Sequence, residues 1–357
     1  MRSMWRRLLV VLGILGGAHL YIWWRLVAPL PSPWFEIGSA VIVIFGPSLP
    51  FIMLGARGLS RDAARRVQLV GYLWFGLAVY LLLGAWGSHI AVAFGASART
   101  AAAIAGGAAL ATVMLGLLHV ARGPRVRRVE VRLEKLGRDE YRVVQLTDVH
   151  IGNMLGREFA ADVVRQVNAL EPDLVVITGD FVDGRLSELQ PHVEPFRELR
   201  ARDGVYAVTG NHEYYWNAEL WLEHLRSLGI TILRNEHVTI GGAFQLAGVD
   251  DSTAGEDVPR AVRGRDASLP MVLLAHHPRT VARAAAAGVE LQLSGHTHGG
   301  QLLPLGWLVR LFEPQAAGLG QHGPTQLYVS EGTGYWGPPL RVGTTQEITL
   351  LTLRRVS

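Results

Sequence analysis

The chain has 357 residues, no cysteine, 34 Lys and Arg against 30 Asp and Glu, and a formal net charge of +4. The lack of thiols excludes disulfides, zinc–thiolate sites and a cysteine nucleophile, while leaving the redox compartment open. Much of the excess base lies beside apolar stretches, which points to membrane orientation and anionic headgroups rather than to nucleic acid, so no nucleic-acid partner is expected.

Residues 1 to 121 are rich in Leu, Val, Ala, Gly and Trp and poor in acids. Four stretches there meet the roughly 20-residue requirement for a helix that crosses a bilayer. They are Leu8 to Trp24, Ile37 to Ala56, Gln68 to Ser88 and Thr100 to Val120. Pro47 and Pro50 in the second are compatible with a membrane helix, where neighbours satisfy the freed backbone groups. The first is a span rather than a cleaved signal peptide, because no small-residue cleavage site precedes the interfacial pair Trp23 and Trp24.

Arginines set the expected orientation. Arg2, Arg6, Arg7, Arg57, Arg61, Arg65, Arg66, Arg122, Arg125, Arg127 and Arg128 fall on one side of the spans, and Arg25 and Arg99 on the other. Cytoplasmic loops retain Lys and Arg, so both termini and the loop 57–67 are expected in the cytoplasm. The expectation is a multi-pass protein of the inner (plasma) membrane, with the lipid bilayer as partner and the soluble part facing the cytosol. The sequence leaves protein partners open. His19, His89 and His119 lie in or beside the spans without a carboxylate there, and packing or interfacial roles are assigned to them.

The composition changes near Arg125, dividing the chain into a transmembrane region, 1–124, and a soluble domain, 125–357, long enough to bury its own core. Strands are expected at Val129–Leu133, Tyr141–Leu146, Leu174–Thr178, Gly204–Val208, Phe244–Ala247, Met271–Ala275, Glu290–Leu293, Leu327–Val329 and Ile348–Leu353. Helices are expected at Phe159–Leu170, Ala218–Leu228 and Arg279–Ala287. This alternation is the pattern of an α/β domain.

Five polar motifs each follow the end of one of these strands: Asp148-Val149-His150, Gly179-Asp180-Phe181-Val182-Asp183, Gly210-Asn211-His212-Glu213, His276-His277-Pro278 and Gly295-His296-Thr297-His298. In layered α/β folds the carboxyl ends of neighbouring strands converge on one crevice, so these distant residues are expected to form one site. Carboxylate, Asn carbonyl and imidazole donors without thiolate suit Mn, Fe, Zn or Co. A pair of ions needs a bridging ligand; a carboxylate has two oxygens to share, and Asp180 on its glycine turn is the natural bridge. From spacing alone either His276 or His277 could be a ligand. Asp250-Asp251 is expected to be a turn, and His192, His224, His237 and His322 match no ligand motif.

Together the motifs resemble the calcineurin-like metallophosphoesterases over roughly residues 140 to 355. The Gly-Asp-Phe-Val-Asp-Gly, Ser-Gly-His-Thr-His-Gly-Gly-Gln and Glu-Gly-Thr-Gly-Tyr segments look like the bacterial membrane-associated branch, which includes phosphodiesterases and UDP-2,3-diacylglucosamine pyrophosphatases. The resemblance implies a four-layer α/β/β/α sandwich and a cofactor of two divalent ions. It implies that Asp148, His150 and His298 hold one ion, Asn211, His276 and His296 the other, and Asp180 bridges. His212 is implied to meet the leaving oxygen or a phosphate oxygen as the catalytic side chain, and a metal-activated hydroxide to attack phosphorus. Asp183 is expected to orient a neighbouring ligand.

The apolar segment Gln301 to Phe312, expected as a loop, suggests contact with the bilayer or with an acyl chain, while Arg310 and Arg341 are candidates for holding phosphate. The substrate expected from this is a phosphodiester or pyrophosphate borne by a lipid, such as UDP-2,3-diacylglucosamine. The alternatives are a tethered phosphodiesterase for soluble diesters or cyclic nucleotides, and a non-catalytic membrane scaffold. The last is disfavoured because every expected ligand position is filled.

Overall fold

The computed structural model of the chain describes residues 2–47 and 59–356, without the side chains of residues 2–5, 7 and 8. The second half of the expected span Ile37 to Ala56, with Pro50, and Arg57 lie outside the described residues, as do the side chains of Arg2 and Arg7. The chain divides into two compact units, one of residues 1–121 with 337–342 and one of residues 122–336 with 343–357.

The first unit is helical. Three of its helical stretches, Leu9–Val27, Arg61–Ala93 and Ala98–Ala121, are long and apolar enough to cross a membrane, and a shorter apolar helix covers Trp34–Phe45. Ile22, Leu26, Trp74, Ala78, Ala85 and Ala102 form its small core. Leu9, Ile14, Leu20, Val43, Ile44, Trp86, Ile104, Met114 and Leu115 instead point outward and are exposed. An apolar exterior of this extent is stable against lipid tails rather than water, so the unit has the character of a membrane region. The histidines here pack: Trp74 Nε1 donates to His19 Nε2 at 3.1 Å, and His89 Nε2 pairs with the Tyr21 hydroxyl at 2.9 Å.

The second unit contains twelve strands among the described residues: β1 (Arg125–Leu133), β2 (Glu140–Leu146), β3 (Leu174–Thr178), β4 (Val205–Val208), β5 (Thr231–Ile232), β6 (Glu236–Ile240), β7 (Phe244–Gly248), β8 (Met271–Leu274), β9 (Leu291–Ser294), β10 (Gly318–His322), β11 (Thr325–Val329) and β12 (Glu347–Arg355). They form two six-stranded sheets, in the orders β1-β12-β2-β3-β4-β5 and β10-β11-β9-β8-β7-β6. Strands β2 to β5 are mutually parallel, as are β7, β8, β9 and β11.

Residue pattern explains these elements. All five residues of β3, Leu-Val-Val-Ile-Thr, are buried, as befits a parallel strand covered on both faces. The helix Arg157–Asn168 buries Ala160, Val163, Val164 and Val167. That i, i+3, i+4, i+7 stripe lies against the first sheet. One cluster joins this helix and Trp221, Leu222 and Leu225 to Val144, Leu146, Val175 and Ile177 of the first sheet. A second contains Val131, Tyr141, Val143 and Leu351 of the first sheet with Phe244, Leu246, Val272 and Leu293 of the second. A third packs Val258, Ala261 and Ala284 on Ala247, Met271 and Leu273.

Three strands lie beyond the sequence expectation: β5, which has two residues, and β6 and β10, the edges of the second sheet. Edge strands carry one-sided burial and more polar residues, so Glu236-His-Val-Thr-Ile and Gly318-Leu-Gly-Gln-His show no apolar run. The segment expected as a loop after the last His motif is helical over Leu305–Phe312. A proline just before a helix start is well tolerated, and Leu305, Leu308, Arg310 and Leu311 favour helix.

Candidate metal centre

The carboxyl ends of β2, β3 and β4 in one sheet and of β8 and β9 in the other carry the five polar motifs. At these ends the backbone turns sharply. Asp148, His150, Asp180, His296 and His298 have φ of 49°, 50°, 52°, 70° and 51°. Left-handed backbone is costly for residues with a Cβ, and such strain persists where surrounding structure enforces it, typically at functional sites. Two glycines permit the close approach. A Cβ on Gly210 would overlap the Asp180 carboxylate, and one on Gly295 would overlap Thr147 and Asp148.

Two clusters result. In the first, His150 Nε2 and His298 Nε2 are 3.1 Å apart, and His298 Nε2 lies 3.3 Å from Asp148 Oδ1. In the second, His276 Nε2 lies 3.1 Å from Asp180 Oδ2 and 3.2 Å from His296 Nδ1. Asp180 Oδ2 reaches toward the first cluster as well, 4.0 Å from His150 Nε2. Each set, Asp148, His150 and His298 or Asp180, His276 and His296, could hold an ion.

Further contacts orient these donors. His276 Nδ1 faces the Thr178 carbonyl at 2.8 Å, which turns Nε2 inward. The Asp148 carboxylate accepts the His296 backbone N–H at 3.0 Å and the Thr147 hydroxyl at 2.7 Å. Asp183 lies 3.0 Å from His150 Nδ1 and pairs with His212 Nδ1. It thus holds two imidazoles by the nitrogens that point away from the clusters, as carboxylates behind metal-binding histidines do. His212 Nε2 stands 3.8 Å from Asp180 Oδ2. Asn211 donates from Nδ2 to the Tyr215 hydroxyl at 3.1 Å, while its Oδ1 is buried without a hydrogen-bond partner.

These features fit a pair of divalent ions. Two buried carboxylates, four imidazoles and an orphaned amide oxygen converge, and a buried acceptor left without a donor or cation is costly. The electrostatics point the same way. Burial pushes the Asp148 carboxyl up, the histidines His276 and His150 pull it down, and the Asp180 charge pushes it up again. For Asp180 burial is outweighed by His276, His150 and His212, which hold it well below the usual carboxylate range.

Without ions, His150 is raised to about 9: burial opposes its charge, but Asp183, Asp180 and Asp148 outweigh that. His276 is raised to about 10 against burial by Asp180, Asp148 and Asp251. A raised histidine stabilises the ion-free fold fully below its unfolded value near 6.5, and loses that contribution as pH rises through 9 and 10. Metal binding requires neutral imidazole and displaces those protons. Apparent Mn2+ affinity is therefore expected to rise with pH between 6 and 8, by about tenfold per unit for each proton displaced. Calorimetric titrations across that range check this; an affinity independent of pH would contradict it.

Arg310 is exposed on the helix Leu305–Phe312. Arg341 is 1% exposed and belongs to the helical unit, where its backbone N–H faces the Gly116 carbonyl at 3.5 Å. His277 pairs with Asp251 at 3.2 Å rather than with Asp180.

Glu213 was visible as the fourth residue of Gly-Asn-His-Glu but carried no assigned role. It is buried, and its Oε1 accepts the N–H groups of Phe181 at 2.7 Å and Val182 at 3.3 Å. Its Oε2 accepts those of Gly210 at 2.7 Å and Asp180 at 3.1 Å. One carboxylate thus clasps two of the turns that carry ligands. The signal for this was a Glu three residues after a helix-start glycine, a capping arrangement.

Comparison with known proteins agrees with this geometry. Residues 141–300 match the calcineurin-like phosphoesterase family. A metallophosphoesterase of Helicobacter pylori strain J99 is 40% identical over 238 residues, which cover 64% of this chain and 64% of that protein. A Danio rerio protein named transmembrane protein with metallophosphoesterase domain is 39% identical over 287 residues, 74% of this chain and 65% of that one. The chain thus spans just under two thirds of the length of these two relatives. A metallophosphoesterase of Aquifex aeolicus is 35% identical over 241 residues, 64% of this chain and 92% of that one. The Haemophilus influenzae NAD nucleotidase aligns in structure at a TM-score of 0.36 with 15% identity over 54% of this chain and 51% of that one, too weak a likeness to bear on site or substrate. On the family match and the relative covered for nine tenths of its length, this chain belongs to the calcineurin-like phosphoesterases.

Proposed function

We propose that the chain is a membrane-anchored, dinuclear metal-dependent hydrolase of phosphodiesters or pyrophosphates. The observation that carries this is the convergence of Asp148, His150 and His298 with Asp180, His276 and His296 at neighbouring strand ends. Asp148, His150 and His298 would hold one ion, Asn211, His276 and His296 the other, with Asp180 between them; Mn, Fe, Zn and Co all suit these donors. When bound, the ions supply Lewis-acid charge at phosphate oxygens and lower the pKa of water.

The side chains do the rest. Asp183 holds His212 by Nδ1, which leaves Nε2 to meet a phosphate or leaving oxygen and to hold a proton there. Replacing His212 by Gln is expected to lower kcat on bis-p-nitrophenyl phosphate by about 10²-fold with bound metal unchanged, because one positioned donor in the transition state is lost. Parallel kinetics and metal analysis check this; equal loss of metal would assign His212 to the ligands.

The domain would span residues 125–357 as a four-layer α/β/β/α sandwich, following a transmembrane region of four spans over 1–124. Support for this comes from the three long helices and from the shorter apolar helix Trp34–Phe45, which overlaps the remaining expected span. The arginine distribution supports a multi-pass protein of the inner membrane with its hydrolytic domain in the cytoplasm.

A lipid-borne substrate, with UDP-2,3-diacylglucosamine as the leading candidate, is favoured by the helix Leu305–Phe312. It follows the Gly295-His296-Thr297-His298 motif within seven residues and exposes Trp307, Leu308, Leu311 and Phe312. Arg310 beside them suits an anionic headgroup. The double substitution Trp307→Glu with Leu311→Glu is expected to lower activity on lipid phosphoester in mixed micelles by at least about tenfold relative to a soluble diester. An unchanged ratio would favour a tethered phosphodiesterase acting on soluble diesters.

A further inference from the structure

Beside the second cluster lies a group of donors of which the proposed hydrolysis uses only His296. The rings of His277 and His296 are 3.8 Å apart between centroids. His277, His296 and Glu313 each present one ligand atom, and these three atoms lie within 4.8 Å of one another. Behind His277 stands Asp251, whose Oδ2 is 3.2 Å from His277 Nε2, and whose Oδ1 accepts the Thr253 N–H at 2.8 Å.

Glu313 is the unusual member. It is 8% exposed. Its Oε1 accepts both Arg279 Nε at 2.8 Å and Arg279 Nη2 at 2.6 Å, while Oε2 is buried with no hydrogen-bond partner. A bidentate guanidinium normally serves both oxygens of a carboxylate. Here both donors fall on one oxygen, and the other is left without a donor, on a carboxylate that stands within reach of the two imidazoles. A buried, unpartnered carboxylate oxygen lacks a donor or a cation, and two histidines within ligand distance of this carboxylate suit a cation.

We propose that His277, His296 and Glu313, with Asp251 orienting His277, form a third divalent-cation site that abuts the dinuclear centre. His296 turns Nδ1 to the His276 side, so its second ring nitrogen serves the new site once its N–H proton passes to water, and the resulting imidazolate joins the two. Two nitrogens and one oxygen without thiolate suit Zn, Co or Mn, with water completing the shell. Glu313 directly follows the exposed helix Leu305–Phe312. An ion there ties the end of that apolar helix to the hydrolytic centre, so occupancy governs how firmly the helix is held.

The proposal rests on the two-ion reading of the main centre, and counting ions separates the two claims. The full chain in detergent micelles, stripped with chelator and dialysed to equilibrium against Zn2+, is analysed for zinc per chain by mass spectrometry. Three ions are expected in the wild type and two in both Glu313→Gln and His277→Ala, with the thermal melts of the variants confirming that they fold. A wild-type count of two overturns the third site and leaves the dinuclear centre standing. A count of one or none overturns both. Three ions retained in both variants overturns the assignment to these residues.

Discussion

Asp180→Ala is expected to lower hydrolysis of bis-p-nitrophenyl phosphate by about 10³-fold or more, since it removes charge that organises the transition state and both ions with it. Asp180 is the one carboxylate among the described residues that faces His150, His212 and His276 together, at 4.0, 3.8 and 3.1 Å. Its other oxygen accepts the His212 backbone N–H at 2.9 Å, so it also positions His212. Alanine leaves His150 and His276 facing one another's field without their shared counter-charge. The variant is therefore expected to bind less metal than wild type. Kinetics together with metal analysis test this, and a fully active Asp180→Ala would place the chemistry elsewhere.

Glu213→Ala is expected to destabilise the protein by about 3–5 kcal/mol, the cost of removing one partner from a buried charged network. Four backbone N–H groups, of Asp180, Phe181, Val182 and Gly210, would lose their acceptor at once. Glutamine is expected to be nearly as harmful, because its NH2 would face two of those N–H donors where the carboxylate offers a second acceptor. Burial and then the Asp180 charge raise the Glu213 carboxyl to about 7, opposed by its backbone donors. Chemical denaturation of the two variants checks the size and order of these losses. A glutamine variant as stable as wild type would show that the clasp needs only one oxygen.

Much of the hydrolytic domain was legible because its signals are local. Leu174–Thr178 stands out as an uninterrupted apolar run, and Phe159–Leu170 as a stripe at helical spacing that ends before Pro172. The site was legible for a related reason: each motif follows its strand directly, and parallel strands bring their carboxyl ends together.

What the sequence concealed depends on tertiary partners. The edge strands β6 and β10 gain their form from pairing with β7 and β11, not from their own residues. Glu213 carried no role in the sequence, because the backbone N–H groups of the Asp180 turn that it accepts meet it only in the fold. In the doublet His276-His277, spacing offered two equal ligands. The geometry separates them, because Thr178 and Asp180 hold His276 at 2.8 and 3.1 Å while Asp251 holds His277. Arg341, a candidate for holding phosphate, is buried. No local pattern distinguishes an arginine packed in that way from an exposed one.

The most direct test is hydrolysis of bis-p-nitrophenyl phosphate by the chelator-stripped full chain before and after addition of Mn2+. Two-ion chemistry predicts no turnover in the stripped protein and recovery that saturates only when two ions per chain are bound. Turnover that persists without metal, or that saturates at a single ion, would contradict it.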